Sequence, residues 1–324
     1  MNDKILTISI AAYNVASVID DCLASLVSSR YIDQLDIIVV DDGSKDDTPQ
    51  HVESFVEKYP NSIRYVGKEN GGHGSTINTS LKLAKGKYFK VIDGDDWVDT
   101  KEFDRLIEFL NQATEDLVLT DYDEVYSHSS TPVHVLPYLD RNIEYNLSSL
   151  INFDYLPMHA ITVKLDTYLQ KNEMISEHRF YVDTEFVYFV LSSINNFIIT
   201  NGSVYQYRLD QPTQSVSSMG IFKHIEDLPY ILLRLLGLYS KESNIDSDRS
   251  QILFNIIASR YKLLFYWFSI ITDSSKDAIL INFDKTVKKN YTSVYNRISI
   301  GKYALIRLNY SLGLAIVRAM RKLV

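Results

Sequence analysis

Cysteine is almost absent from this 324-residue chain, and the single Cys22 leaves no internal disulfide to form. The lone thiol falls on the apolar face of a helical pattern, where it reads as buried packing. Without a second cysteine, and with seven histidines that show no close ligand-like pairing, nothing resembles a zinc site. Long apolar runs are missing too. None reaches the roughly 18 residues needed to span a bilayer, and the N-terminus lacks a basic segment followed by a signal-type core, so a cytoplasmic chain is expected. Acids are missing from one region only: Lys285 to Val324 holds nine Lys or Arg and no Asp or Glu. Residues 1–284 then carry 24 basic against 41 acidic side chains, a charge of −17 beneath the overall −8. So acidic a body excludes general nucleic-acid binding, which needs a basic footprint. Hydrophobic content of 46% with 23% charged residues excludes disorder, and the length suits one large or two modest domains.

The first hundred residues alternate between two periodicities. Ile5–Ala12 is a β-rich apolar run, followed by Val15, Val18, Ile19, Cys22, Leu23, Leu26 and Val27 at helical spacing. Leu35–Val40 is a continuous apolar strand, and Thr48–Tyr59 puts Val52, Phe55, Val56 and Tyr59 on one helical face. Ile63–Val66 is a third strand, Ile77, Leu81 and Ala84 mark another helix, and Tyr88–Ile92 is a fourth strand. Near-continuous apolar strands alternating with amphipathic helices predict an α/β fold, a mainly parallel sheet with helices on both faces. Ligands in such sheets bind beyond the carboxyl ends of the strands.

Each predicted strand ends in polar chemistry. Strand one runs into Tyr13-Asn14, strand two into Asp41-Asp42-Gly43-Ser44, strand three into Lys68-Glu-Asn-Gly-Gly-His73, and strand four into Asp93-Gly94-Asp95-Asp96. Three carboxylates within four residues repel one another unless a cation sits among them, and Mg²⁺ or Mn²⁺ prefers oxygen ligands. The expected cargo is a metal-bound phosphate. Asp-Gly and Asn-Gly are also ordinary turn formers, and the acidic stretch could instead cap the next helix.

The sequence resembles the glycosyltransferase family 2 proteins, which have the GT-A fold. The resemblance rests on Ile8-Ser-Ile-Ala-Ala-Tyr-Asn14, Ile38-Val-Val-Asp-Asp-Gly-Ser44, Asn70-Gly-Gly, Ala84-Lys-Gly-Lys-Tyr-Phe89 and Asp93-Gly-Asp-Asp96, in that order. It is strong over residues 4–100 and looser beyond. Tyr181-Val-Asp-Thr-Glu185 resembles the acidic motif that supplies a catalytic base, and Tyr207-Arg208 to Ser215 a segment that closes over substrate. One departure stands out: Asn78 matches an Arg-Asn pair common in the family, but the arginine is missing.

The resemblance implies an inverting, metal-dependent glycosyltransferase that moves a sugar from a nucleotide-sugar donor, most simply UDP-linked, to a hydroxyl of a saccharide or lipid-linked saccharide in surface polysaccharide synthesis. A divalent cation stabilises the diphosphate leaving group, with Asp95 and Asp96 on the metal side and Asp93 toward ribose and sugar. Tyr13 offers a ring for stacking on the base, and Asp42 an acceptor for the N3–H of uracil; core packing and an Asx-turn are the structural alternatives. Ala11, Gly72 and Asn78 join the donor site, and Lys68, His73 or Arg208 would take over the missing arginine's diphosphate contacts. Asp183 is the candidate base for a poorly nucleophilic alcohol, and equally a helix N-cap. Trp97 and His159 are acceptor-side candidates, His159 being as well suited to a core. Two other classes compete: a non-catalytic nucleotide-sugar-binding subunit, and a nucleotidyltransferase. The first sits poorly with intact Asp95, Asp96 and Asp183. The second sits poorly with the lack of a Gly-rich segment and following Lys or Arg after strand one.

The expected domains are 1–218, a catalytic GT-A domain with a nucleotide-sugar half (1–100) and an acceptor half (101–218), and 219–324, a helical subdomain. Its pattern runs through Ile231–Tyr239, Ile252–Ile271 and Tyr303–Val324. Projected as one helix, the last of these gathers Arg307, Arg318, Arg321 and Lys322 within an arc of about 100°, with Leu305, Leu308, Leu312, Ile316, Ala319 and Leu323 largely elsewhere. Such a helix could lie on an anionic membrane at the inner face of the plasma membrane, or pack on the domain with its basic face solvated.

Overall fold

The computed structural model describes residues 4–153, 155–209, 218–241, 247–271 and 273–321. The chain divides into two units: residues 1–150 with 156–211, and residues 151–155 with 212–324.

The first unit opens with β1 (Leu6–Ala12), α1 (Ile19–Val27), β2 (Leu35–Asp41), α2 (Thr48–Lys58), β3 (Ile63–Gly67), α3 (His73–Leu83) and β4 (Tyr88–Asp93). These bounds lie within a few residues of those expected from periodicity. Leu6, Ile8, Ile10 and all of β2 are buried, as strands covered on both faces must be. Cys22 packs with Ile19, Leu23 and Leu26 on the inner face of α1. The unit continues with β5 (Trp97–Val98), α4 (Thr100–Gln112), β6 (Leu117–Tyr126), β7 (Ser129–Val133), β8 (Glu144–Asn146), β9 (Ile161–Lys164), α5 (Leu165–Leu169), α6 (Asp183–Ser193) and β10 (Asn196–Arg208).

The strand order is β3-β2-β1-β4-β9-β6-β10-β5, with β7 on β6 and β8 on β10. β3, β2, β1 and β4 are mutually parallel, and their register pairs Ala12 with Asp41, Asp41 with Gly67 and Ala11 with Asp93. Three strand ends therefore finish at one level, which brings their polar sequels to one edge. Beyond β4 the sheet turns mixed: β9 runs antiparallel to β4 and β6, whereas β10 is parallel to β6. The β10 register slips between Ile199 and Tyr205, a bulge of the kind that re-aims side chains. Tyr205, the residue after the slip, reaches the acidic cluster.

The second unit is helical: α7 (Ser218–His224), α8 (Asp227–Lys241), α9 (Ser247–Ile270), α10 (Asp277–Asn290), α11 (Thr292–Arg297), α12 (Ala304–Leu308) and α13 (Tyr310–Arg321). Its core is built on Leu253, Ile257, Tyr261, Leu264, Phe265 and Phe268 of α9. Within that core Asp284 accepts the hydroxyls of Tyr261 and of Tyr310 (2.7 Å) and pairs with the guanidinium of Arg307 (2.9 Å).

The single helix expected over Tyr303–Val324 is broken. Asn309 leaves helical geometry (φ −152°, ψ 108°), and α13 folds back on α12 so closely that a Cβ at Gly313 would lie 2.5 Å from Ile306 Cα. The shared basic arc is lost with it. Arg307 turns inward to Asp284, and Arg318 forms a bidentate pair with Asp277 at 3.0 and 2.6 Å. Lys322 and Leu323 lie outside the described residues, and the side chain of Arg321 is not described. Leu305, Leu308, Leu312 and Ile316 are instead the exposed residues, at 43, 82, 59 and 39%.

Candidate active site

At the carboxyl edge of the parallel strands, Asp41 makes the turn after β2 by accepting from Ser44 N–H and the Tyr65 hydroxyl, both at 2.9 Å. The Asx-turn considered for Asp42 thus belongs to its neighbour. Asp42, 3% exposed, accepts from Lys68 Nζ (2.8 Å), Gly71 N–H (2.8 Å), Ser75 Oγ (3.2 Å) and Gly72 N–H (2.7 Å). It therefore shapes the loop Asn70-Gly71-Gly72. Lys68, expected to reach a diphosphate, is committed: its ammonium donates to Asp42, to Ser75 Oγ (2.9 Å) and to the Glu69 carbonyl (2.5 Å), which uses all three of its donors. Tyr13 stays 50% exposed at the end of β1, which removes the core-packing alternative. Ala11 sits beside it with its carbonyl taken by Gly94 N–H (2.9 Å).

The loop is clasped by a segment a hundred residues away. Gly72 has φ +78°, and a Cβ there would stand 3.3 Å from His178 N; at Gly74 a Cβ would collide with the Ser176 carbonyl at 2.1 Å. Asn78 secures the contact: its Oδ1 accepts from Ile175 N–H (2.9 Å), and its Nδ2 donates to the Ile175 carbonyl (2.9 Å) and Glu177 (3.1 Å). Asn78 is thus engaged in this clasp. From α6, the fully buried Glu185 accepts Ser176 N–H (2.7 Å) and Oγ (2.9 Å). This segment leads into Asp183, the first residue of α6. Val182 occupies the cap position without a side-chain cap bond, so Asp183 is not the N-cap but lies in the positive first turn.

The acids after β4 divide by partner. Asp93 meets His73 at 3.1 Å. Burial opposes a charge on this imidazole, yet Asp93, Asp183 and Asp95 together outweigh it, and the histidine is held above its usual range. Asp96, 1% exposed, accepts the Tyr205 hydroxyl (2.5 Å) on one oxygen and Arg208 N–H (2.7 Å) on the other. Burial, then Asp93 and Asp95, push it up to about 9. As the structure stands, the two Asp96 oxygens hold β10 in place. Asp95 keeps a carboxylate whose only donor among the described residues is its own backbone. Burial and then Asp93 push it up to about 6. Such an excess of negative charge is what a divalent cation would relieve, so the site fits one. No three acids, histidines or cysteines converge as a metal cage among the described residues, but one or two carboxylates suffice when substrate phosphates supply the other ligands.

Arg208 is expected either to meet the diphosphate or to anchor a surface loop, and in the structure it has partners within the protein. Its Nε donates to the Asp95 carbonyl (2.8 Å), its Nη2 pairs with Asp21 (2.9 Å), and its guanidinium lies 4.6 Å from the Trp97 ring centroid. Trp97 is thereby held half-buried beside the acids. The closing segment expected up to Ser215 lies, from residue 210, outside the described residues. His159 stands between Tyr205 and Tyr207, with centroids at 4.9 and 5.2 Å, and edge-on to Tyr122 at 4.1 Å. Burial, then Lys90, push it down to about 3, so it is a neutral ring in an aromatic wall. Lys90 itself was missed. It is fully buried, donates to the His159 carbonyl (2.6 Å), and burial brings it down to about 7. A lysine inside the apolar run Tyr88-Phe-Lys-Val-Ile92 was the available signal. Tyr205 offered none.

The family model described as Glycosyl transferase family 2 matches residues 7–171, half of the chain. Among curated relatives, an uncharacterized glycosyltransferase of Mycoplasma pneumoniae, the MG060 homolog, is 31% identical over 151 residues, 46% of this chain and 50% of that protein. The minor teichoic acid biosynthesis protein GgaB of Bacillus subtilis is 23% identical over 209 residues, 63% of this chain and 23% of that protein. The chain thus spans half or less of these relatives. Among solved structures, S. aureus TarS 1–349 in complex with UDP-GlcNAc aligns with a TM-score of 0.71 at 19% identity, covering 97% of this chain and 87% of that one. The mannosyltransferase PcManGT of Pyrobaculum calidifontis, in complex with GDP-Man and Mn²⁺, aligns at 0.56 with 15% identity, covering 98 and 87%. These likenesses show the GT-A fold.

Proposed function

The chain belongs to glycosyl transferase family 2, and on that premise we propose that it transfers a sugar from a UDP-linked donor to a hydroxyl of a saccharide or lipid-linked saccharide, with inversion at the sugar carbon, in surface polysaccharide synthesis. The observation that carries this reading is the pairing of His73 with Asp93 at 3.1 Å at the carboxyl edge of the parallel strands, with Asp183 among the acids that raise the histidine. It supports a site shared by a donor-side acid and a candidate base. In this reading Tyr13 stacks on the base, and Asp42 holds the loop against which uracil rests. Asp93 and His73 orient the donor sugar, and Asp183 takes the acceptor's proton. Asp95, with Asp93 beside it, would hold Mg²⁺ or Mn²⁺. When bound, the cation offsets the charge growing on the diphosphate. The neutral His159 and half-buried Trp97 offer the acceptor apolar ring faces. A related structure with UDP-GlcNAc and another with GDP-Man and Mn²⁺ support the donor class and the metal, and a teichoic acid biosynthesis relative supports the acceptor class.

A thermal-shift series tests this, because a ligand that binds only the folded state raises its apparent stability. UDP with Mn²⁺ should raise the melting temperature more than ADP or GDP, and Asp95→Ala should abolish the Mn²⁺-dependent part. Equal shifts for all three nucleotides would remove the uridine selection, and an unchanged Mn²⁺ effect in Asp95→Ala would remove the metal role.

A further inference from the structure

Among the described side chains, the outer face of the α12–α13 hairpin carries no charge. On α13, Ser311, Leu312, Ala315, Ile316, Ala319 and Met320 are exposed, and on α12 Ala304, Leu305 and Leu308 continue the strip. Leu308 is 82%, Leu312 59% and Met320 58% exposed. Large apolar side chains at four-residue spacing along the outside of a helix mark a surface meant to be covered. The inward residues are fully occupied: Leu314 and Val317 are buried, Arg318 is paired to Asp277, and Arg307 to Asp284. The strip is therefore not an inner face turned outward by chance.

We propose that this strip docks on an anionic lipid surface. Charge complementarity selects the occupant. Residues 285–324 contain no acid, while the rest of the chain carries a charge of −17 and would be repelled from such a surface. The exposed Lys285, Lys288 and Lys289 line α10, and Lys285 lies 5.8 Å over the ring of Tyr310, the first residue of α13. Lys285 thus sets a cation beside the start of the apolar strip, the pairing of apolar face and basic flank that an interfacial helix requires. The helix read from the sequence would have met a membrane with a basic arc of Arg307, Arg318, Arg321 and Lys322 beside its apolar face. The folded hairpin does so through apolar insertion, with different lysines as the electrostatic partner. Among the described residues no helix is long and apolar enough to cross a membrane.

Sedimentation of the full chain with phosphatidylglycerol-containing vesicles and with neutral phosphatidylcholine vesicles tests this. Binding should favour the anionic vesicles and weaken with salt. Lys285→Gln/Lys288→Gln/Lys289→Gln should weaken it roughly 100-fold, at the scale expected for three lysines near a charged bilayer. Leu308→Gln/Leu312→Gln/Ile316→Gln/Met320→Gln should abolish it with an unchanged melting curve, because these side chains are exposed. Undiminished vesicle binding by the second variant would overturn the proposal. So would a dimer of the intact chain that ignores vesicles and dissociates in that variant, which would assign the strip to a second copy.

Discussion

Asp96 of the α/β unit and Asp284 of the helical unit are both buried carboxylates, at 1 and 0% exposure, and each accepts a tyrosine hydroxyl. Their surroundings differ in sign. Asp284 faces Arg307 and the hydroxyls of Tyr261, Tyr310 and Tyr295, so its charge is balanced where it sits. Asp96 faces Asp93 and Asp95, with His73 paired to Asp93 and the Arg208 guanidinium bonded to the Asp95 carbonyl rather than to a carboxylate of the cluster. Burial and a tyrosine partner therefore do not separate a structural acid from one at a working site. The balance of charge around it does. An excess left unbalanced costs stability in the empty protein and becomes favourable only when a cation or substrate arrives.

Removing the balanced acid should have the largest effect. Asp284→Ala leaves the Arg307 guanidinium buried without a partner, and such losses run to about 3–5 kcal/mol. Denaturant unfolding should show this in the helical unit, and Asp284→Leu with Arg307→Met should recover most of it. If Asp284→Ala alone is near neutral, the hub is not what joins α10 to α12 and α13. The working acids should behave in the opposite way. Asp183→Asn should cut transfer at least about 100-fold, the usual scale for a lost general base, with melting and UDP binding retained. Near-normal turnover with the true acceptor would take Asp183 out of the mechanism.

A third buried charge sharpens the contrast by having no opposite charge at all. Lys90 is surrounded by carbonyls and aromatic rings, and burial brings it down to about 7. The unfolded chain keeps this proton to about pH 10.4, so between about 7 and 10 it binds more protons than the folded chain, and stability due to Lys90 rises with pH. The melting temperature of the native chain relative to Lys90→Met should therefore climb by a few degrees from pH 7 to pH 9. A constant difference would mean that Lys90 is solvated enough to titrate normally.

The parallel half of the sheet was legible because its signal is local. Apolar runs, helical spacing and strand-end motifs fixed β1 to β4 to within a few residues, and placed Asp93, Asp95 and Tyr13 at one edge. The partners within the protein were not legible. Lys68, Asn78, Asp96 and Arg208 have residue types suited to a nucleotide sugar, yet each is met first by something inside the protein. Those partners, Asp42, Ile175, Tyr205 and Asp21, are 26, 97, 109 and 187 residues away. Periodicity carries no information at that range. The C-terminal helix failed for a related reason: Asn309 interrupts it without Pro or Gly at the break, and the helical projection rotated Arg318 onto the wrong side.

The clasp between the glycine loop and residues 175–178 also sets an order of events during synthesis. Residues 1–93 contain every strand of the parallel half, which can pair as soon as they leave the ribosome. The loop after β3 has no counterpart until Ile175 and Glu185 are made, roughly ninety to a hundred residues later. Contacts of such separation form late. A nascent chain should therefore hold a finished sheet with a slack glycine loop until the segment around Ile175 to Glu185 has arrived.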